Sequence, residues 1–309
     1  MTRYIMQRLG YMVLTLFLIA TFSFFLMKML PGSPLAAQEK LSEAQQQIVL
    51  EKYGLTDPVP VQYVKYLGNL AQGDLGISFQ LKNQPVTEIL FSRIPISAQL
   101  GLYALIIGTV IGMLLGLVAA IRNNSWVDYS ANFISVIGIS IPSFIFAGLL
   151  QYFVGVKLGW LPIAFWGSWE QAVMPVIALA IFPMAIAARF MRTEMIEVLG
   201  SDFIVTARAK GLNNTGILFK HGLRNALIPL VTVLGPMAVS LMTGTLVIEQ
   251  IFSIPGIGEQ FVTSVMTDDF AVIMGTTLFF AFFFVLIILI VDILYGVIDP
   301  RIRLAGGNE

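Results

Sequence analysis

The stretch TARAKGLNNTGILFKHGLRNALIP, Thr206–Pro229, follows one apolar run, residues 171–188, and leads into another, residues 225–248. It carries Arg208, Lys210, Lys220 and Arg224, several glycines and the only histidine of the chain, His221. A basic segment between two apolar runs of this length poses two questions: how the chain crosses a bilayer, and on which side this segment lies.

Composition points the same way along the whole chain. Its 309 residues are 57% hydrophobic and 12% charged, with mean hydropathy +0.84, whereas soluble domains are roughly a quarter charged. Zero net charge removes any bulk electrostatic case for nucleic acid. The absence of cysteine excludes disulfides and thiolate metal sites. Runs free of Asp, Glu, Lys and Arg occur at 9–27, 98–121, 129–156, 171–188, 225–248 and 270–291. Each is close to the roughly 20 residues a spanning helix needs, so the chain reads as an all-α polytopic membrane protein with six spans. Arg3 and Arg8 precede the first run as the basic region of a secretory signal would. Its apolar core is too long for a signal and no small-x-small cleavage site follows, so a retained span is expected.

Lys and Arg in short loops set orientation. Residues 189–228 hold Arg189, Arg192, Arg208, Lys210, Lys220 and Arg224, while residues 249–269 hold only acids, Glu249, Glu259, Asp268 and Asp269. The first segment is therefore expected inside and the second outside, with both termini cytoplasmic. The resulting division is 1–30 for an N-terminal stub and first span, 31–97 for an external segment, and 98–309 for a five-span core. That core contains a cytoplasmic loop, 193–228, and an external loop, 249–269. Within 31–97, SEAQQQIVLEKYG (42–54) and DPVPVQYVKYLGNL (57–70) both read as short helices, the second entered through prolines.

Inside the spans, Gly108, Gly112 and Gly116 recur every four residues and predict close helix packing. Pro142, Pro175, Pro183 and Pro236 are expected to interrupt the third, fourth and fifth spans. Asp292 reads either as an intramembrane functional acid or as a group near the interface, about to leave the bilayer with Asp299 and Arg301. No phosphate loop, H-E-x-x-H or G-x-S-x-G occurs, so no nucleotide, metal or acyl-transfer chemistry is written here. A ladder of intramembrane acids that would serve a self-contained ion-coupled transporter is also lacking. His221 has no companion ligands in sequence.

The opening stretch itself reads as two short helices hinged at Gly211. Ser201 is placed to cap the first, Asp202 complements its positive end, and Gly211 follows its last turn. The second begins near Asn214 or Thr215, with Leu218, Phe219 and Leu223 toward one side and Lys220 and Arg224 toward the other. On the residues alone, this is either a basic anchor for lipid headgroups or a docking element for a soluble partner.

The stretch resembles the cytoplasmic loop of permease subunits in binding-protein-dependent ABC importers, a short helix, a glycine and a second helix leading into a span. Aligned on Gly211, that loop's Glu-Ala-Ala falls on Val205, Thr206 and Ala207. TARAKGL (206–212) and HGLRNALIP (221–229) resemble the variant of the peptide/nickel branch. LPGSP (30–34), YGLTDPVPVQYVKYLGNLAQGDLGISF (53–79) and VIEQIFSIPGIG (247–258) resemble its B-type permease, with oligopeptide permeases nearest and dipeptide, glutathione or nickel permeases as alternatives. The resemblance implies a type I importer permease fold and a non-catalytic role. A homologous second permease, two P-loop ATPases using ATP and Mg2+, and an external peptide-binding protein would be its partners in a bacterial cytoplasmic membrane, with no cofactor on this chain. It places Asp202, Thr206, Ala207, Arg208, Gly211, Leu212, His221 and Arg224 at the ATPase. It also makes FSIPGIG an outer gate loop turned by Pro255, Gly256 and Gly258, with Phe252 beside them.

Overall fold

A computed structural model of the chain describes residues 2–29, 47, 51, 54–213, 216–242 and 245–298. Among the described residues, five helices are long and apolar enough to cross a membrane: Met6–Met29, Val86–Ile121, Trp169–Leu199, Asn225–Ile251 and Phe270–Leu289. A helix pair, Trp126–Ser140 and Ser143–Lys157, is bent by 101° and makes a sixth if it is one broken span. The chain forms two compact units, one of residues up to Ile96 and from Pro255 onward, the other Ser97–Ile254.

In the first unit, α1 (Thr2–Met29) packs along α11 (Phe270–Ile298). The predicted second external helix is present as α2 (Val59–Ala71), begun by Pro58 and Pro60. Proline is suited to a first helical turn because its missing N–H has no intrahelical partner there. Tyr63 and Tyr66 of α2 lie against the Phe24 ring at 5.4 and 5.3 Å, and the Tyr63 hydroxyl is 2.8 Å from that of Thr21. Of the helix expected over 42–54, Gln47 and Glu51 are helical and bonded to each other at 2.9 Å. Gly54, expected to end it, lies in a turn at φ +65°, and the remaining residues of that helix, like LPGSP, Asp299 and Arg301, lie outside the described residues. A two-residue hairpin, β1 (Ile77–Ser78) and β2 (Gln84–Pro85), pairs Ile77 with Pro85 and Ser78 with Gln84. Val86, Ile89, Leu90, Ile257 and Val272 form the apolar core of this unit.

Helix α3 (Val86–Ile121) starts in the first unit and from Ser97 belongs to the second. There the glycine register performs the predicted packing. A Cβ built on Gly108, Gly112 or Gly116 would lie 2.5, 2.2 or 2.3 Å from the carbonyl oxygens of Ala180, Met184 and Ala188 on α6 (Trp169–Leu199). The two backbones therefore touch along three successive turns, an approach open only to glycine at those positions.

The expected proline interruptions are mostly absent. Pro175 and Pro183 sit inside α6, and Pro236 inside α8 (Arg224–Met242), without ending either helix. Only Pro142 breaks a span. It lies between α4 (Trp126–Ser140) and α5 (Ser143–Leu150), with Ile141 extended at φ −83°, ψ 120°. The residue before proline is driven out of the helical region, so the bend falls there. Beyond α5 the chain continues as a π-helix, Gln151–Lys157. The fourth span also outlasts its apolar run, since α6 carries Arg189, Arg192, Glu194 and Glu197. Asp292 is helical within α11, and its side chain lies outside the described residues.

Candidate coupling site

The element after α6 is α7 (Asp202–Ala209), preceded by Ser201 in extended conformation. Ser201 does not cap it as expected, because its hydroxyl donates to the Val198 carbonyl. Asp202 in the first turn and Arg208 in the last complement the helix dipole. The C-terminus is closed by a Schellman arrangement. Gly211 N–H donates to the Arg208 carbonyl at 2.9 Å, and Leu212 N–H reaches back to Ala207 at 3.2 Å. Gly211 has φ +80°, where a side chain is strained, yet a Cβ there would meet nothing within 4 Å. The glycine therefore serves the backbone turn, and the space around it is open.

The second helix differs from the expectation in kind. Asn213 is its cap, its Oδ1 accepting the Gly216 N–H at 2.7 Å, while Asn214 and Thr215 lie outside the described residues. From Ile217 to Leu223 it is a π-helix that runs straight into α8. There is thus no separate second helix, only a widened first turn of the next span. The wider turn changes which residues face inward. Ile217 joins Ile204 and Ala207 in a small core with Leu199 and Leu212 at its margin. Leu218 and Leu223 pack on the cluster of Met191, Met195, Ala226 and Leu230. Phe219, expected beside them, is 54% exposed.

The outer face of this module is open and mixed in polarity. Phe203 and Val205 are 45% and 60% exposed, alongside exposed Asp202, Thr206, Arg208 and Lys210. A cavity of about 420 Å³ opens between Arg208, Leu199, Ile121 and Phe219. Of the predicted coupling residues, Asp202, Thr206, Arg208, Gly211 and Leu212 lie on one short module. Ala207 faces its core, and the side chains of His221 and Arg224 lie outside the described residues.

The expected gate residues are arranged differently from an open loop. Phe252 is buried in the second unit, its carbonyl accepting from Phe165 N–H at 2.7 Å. The left-handed turn falls on Ser253, φ +49°. In the first unit Pro255 is exposed, whereas Gly256 and Gly258 are buried, Gly256 as the residue before α10 (Ile257–Met266) and Gly258 within its first turn. Gly256, at φ −93° and ψ −177°, enters the helix in extended conformation and provides no left-handed turn. Arg93 donates to Glu259 at 2.7 Å, and Ser78 donates to buried Asp269. Burial raises the Asp269 carboxyl above the usual range against the lowering effect of the Ser78 and Val272 hydrogen bonds.

Sequence reading missed a second polar feature. Arg192 of α6 grips Asp128 of α4 with two nitrogens, one of them at 2.8 Å, and Asn124 N–H adds a bond at 3.0 Å. Asp128 is 1% exposed. The two residues are 64 apart in sequence, and no periodicity relates them. The only hint was a charged pair just beyond the ends of two apolar runs.

A family model described as "Binding-protein-dependent transport system inner membrane component" matches residues 112–304. A second, "Binding-prot-dependent transport system membrane comp, N-term", matches residues 1–101. The dipeptide transport system permease protein DppB of Lactococcus lactis subsp. cremoris is 49% identical over 98% of this chain and 100% of its own length. The oligopeptide transport system permease protein OppB of Haemophilus influenzae is 42% identical over 98% and 100%. Among solved structures, the inward-facing MetNI methionine ABC transporter matches with TM-score 0.57 at 20% identity, covering 69% of this chain and 97% of the matched chain. The chain belongs to the binding-protein-dependent transport system inner membrane components. It is a multi-pass, non-catalytic membrane subunit of an ABC transporter, with the fold of ABC importer permeases.

Proposed function

We propose that this chain is the permease subunit of a peptide importer, driven by separate ATPases that dock on α7 and on the π-turn before α8. The observation that carries the docking claim is the exposed apolar set Phe203, Val205 and Phe219 on a module locked from beneath by Ile204, Ala207 and Ile217. Exposed apolar residues ringed by polar ones mark a contact surface, and a module with its own core moves as a body when pushed. In this reading a homologous second permease completes the path and an external binding protein delivers peptide. Two P-loop ATPases supply ATP and Mg2+ chemistry. Both termini and residues 193–228 face the cytoplasm, with 249–269 outside, as the Lys and Arg distribution favours.

Peptide as cargo rests on the relatives named above. Oligopeptides are our first reading. The second, dipeptides, is favoured by the 49% identity to a dipeptide permease. The test is the complex reconstituted with its ATPases and binding protein. Binding-protein-stimulated hydrolysis is expected only with this chain present, together with peptide-dependent uptake. Competition by di-, tri- and pentapeptides then separates the two cargoes. Stimulation without any peptide uptake would remove the peptide assignment. For orientation, a cysteine at exposed Met266 should react with an impermeant thiol reagent in intact cells, and one at exposed Lys210 only after permeabilisation. Gln260, on the same helix as Met266, is buried and bonded to Ser264 and is unsuited to that probe.

A further inference from the structure

The first unit contains a two-part cavity that the proposed ATPase docking does not use. One part is apolar, about 780 Å³, and runs between α1 at Leu18–Met27 and the start of α11 at Phe270–Thr277. The other, about 330 Å³, lies at the last turn of α1 and is rimmed by polar groups, Lys28, Gln62, Lys65, Tyr66, Asn69 and Asp74. Met27, Phe270 and Met274 line both parts, which therefore lie side by side. An apolar channel along two membrane-length helices, capped by a polar chamber where those helices end, has the profile of an amphiphile with one charged head.

The polar chamber is specific about charge. Lys65 is already paired with Asp57 at 2.6 Å. The Lys28 ammonium donates to the Gln62 amide oxygen, a neutral acceptor, which leaves it further donors and its charge. The Tyr66 hydroxyl is buried with no hydrogen-bond partner among the described residues. Burial, with Tyr63 adding to it, pushes this phenol up to about 12, so it stays a donor at physiological pH. A buried polar group left unpaired is costly, so this hydroxyl wants an acceptor. Asp74 on the rim, and Asp268 in the apolar part beside Phe270, offer carboxylates to a cation.

We infer that this cavity binds one aminophospholipid, its phosphate on Lys28 and Tyr66, its headgroup ammonium at Asp74, and an acyl chain between α1 and α11. A lysine at the end of a span reaches the headgroup plane without leaving its helix, and tyrosine belongs at the same depth. Lipid is the solvent that fills an apolar groove between membrane helices, and the polar chamber makes one lipid molecule distinguishable from the rest.

The full transporter complex is solubilised from membranes, exchanged into vesicles of equal parts phosphatidylethanolamine and phosphatidylglycerol, and examined by native mass spectrometry in detergent. The wild type is expected to keep one phosphatidylethanolamine per copy of this chain. Lys28→Ala should lower its occupancy about tenfold and Tyr66→Phe several-fold, in line with the loss of a charged and of a neutral hydrogen bond, while Lys28→Arg keeps it. Asp74→Asn should keep a phospholipid and lose the preference for phosphatidylethanolamine. Lys157→Ala, in the other unit, should change nothing. Subunit stoichiometry in the same spectra reports assembly, and Tyr66→Phe serves if Lys28→Ala fails to assemble. Equal occupancy in the wild type, Lys28→Ala and Tyr66→Phe overturns the site, as does a wild type that retains no phospholipid. An Asp74→Asn that keeps its preference overturns the headgroup assignment.

Discussion

Two regions of the molecule invert the usual rule of burial. Over 202–219, Phe203, Val205 and Phe219 are exposed. Over 256–269, Gln260, Ser264 and Asp269 are buried, as is Ser78, which bonds Asp269. Exposed apolar groups are common on any surface and informative mainly when they cluster, whereas buried polar groups always need partners. The first region holds its exposed apolar side chains on a base with its own core, the arrangement the proposed ATPase contact requires. The second has its partners within its own unit, and so reads as internal bracing. The two loops, equally rich in glycine and motif-like in sequence, are opposite in physical kind.

The largest effect expected from this contrast is on uptake. Phe203→Ser with Val205→Ser should leave the membrane level unchanged and weaken ATPase association, since losing about 2 kcal/mol at an apolar anchor is roughly thirtyfold in affinity. Co-purification at fixed detergent measures it, and undiminished association would reduce these side chains to a lipid-facing anchor. Gly211→Leu tests the same surface through its backbone. At φ +80° the substitution is expected to strain the cap by about 1–2 kcal/mol, shifting α7 and abolishing uptake at normal expression. Full uptake by that variant would sink the coupling role of the turn.

The next effect concerns bracing of the second unit, where the cost should depend on which partner is removed. Arg192→Ala leaves the buried Asp128 carboxylate without its counter-charge, with only the Asn124 N–H bond, and should cost about 3–5 kcal/mol. Asp128→Ala leaves an arginine whose side chain is 24% exposed and should cost distinctly less, because water can take over its solvation. Thermal unfolding in one detergent compares the two, and equal losses would show that the geometry matters less than simple packing.

The smallest effect is a pH dependence in the first unit. Burial raises the Asp269 carboxyl, so the folded state keeps a proton the unfolded state has lost. That contribution is full below the ordinary carboxylate range and is lost as pH rises through the raised value. Stability should therefore slope downward across that window in the wild type and less steeply in Asp269→Asn, as read by unfolding midpoints at a series of pH values. Identical slopes would mean that Asp269 is no more perturbed in the fold than out of it.

The apolar spans, the helix over 59–71 and the glycine turn at Gly211 were legible in the sequence, because each follows from chain-local physics. A bilayer demands about 20 apolar residues whatever lies beside them, and a left-handed helix cap favours glycine by sterics alone. The Gly108, Gly112 and Gly116 stripe announced a close contact, though not that α6 would supply it. The tertiary structure alone decided which prolines break a helix, that residues 217–223 widen into a π-turn and leave Phe219 outside, and that Arg192 meets Asp128 and Ser78 meets Asp269. These outcomes depend on groups far apart in the chain, whose exposure and pairing exist only once the helices are packed. No local pattern of residue types carries that information.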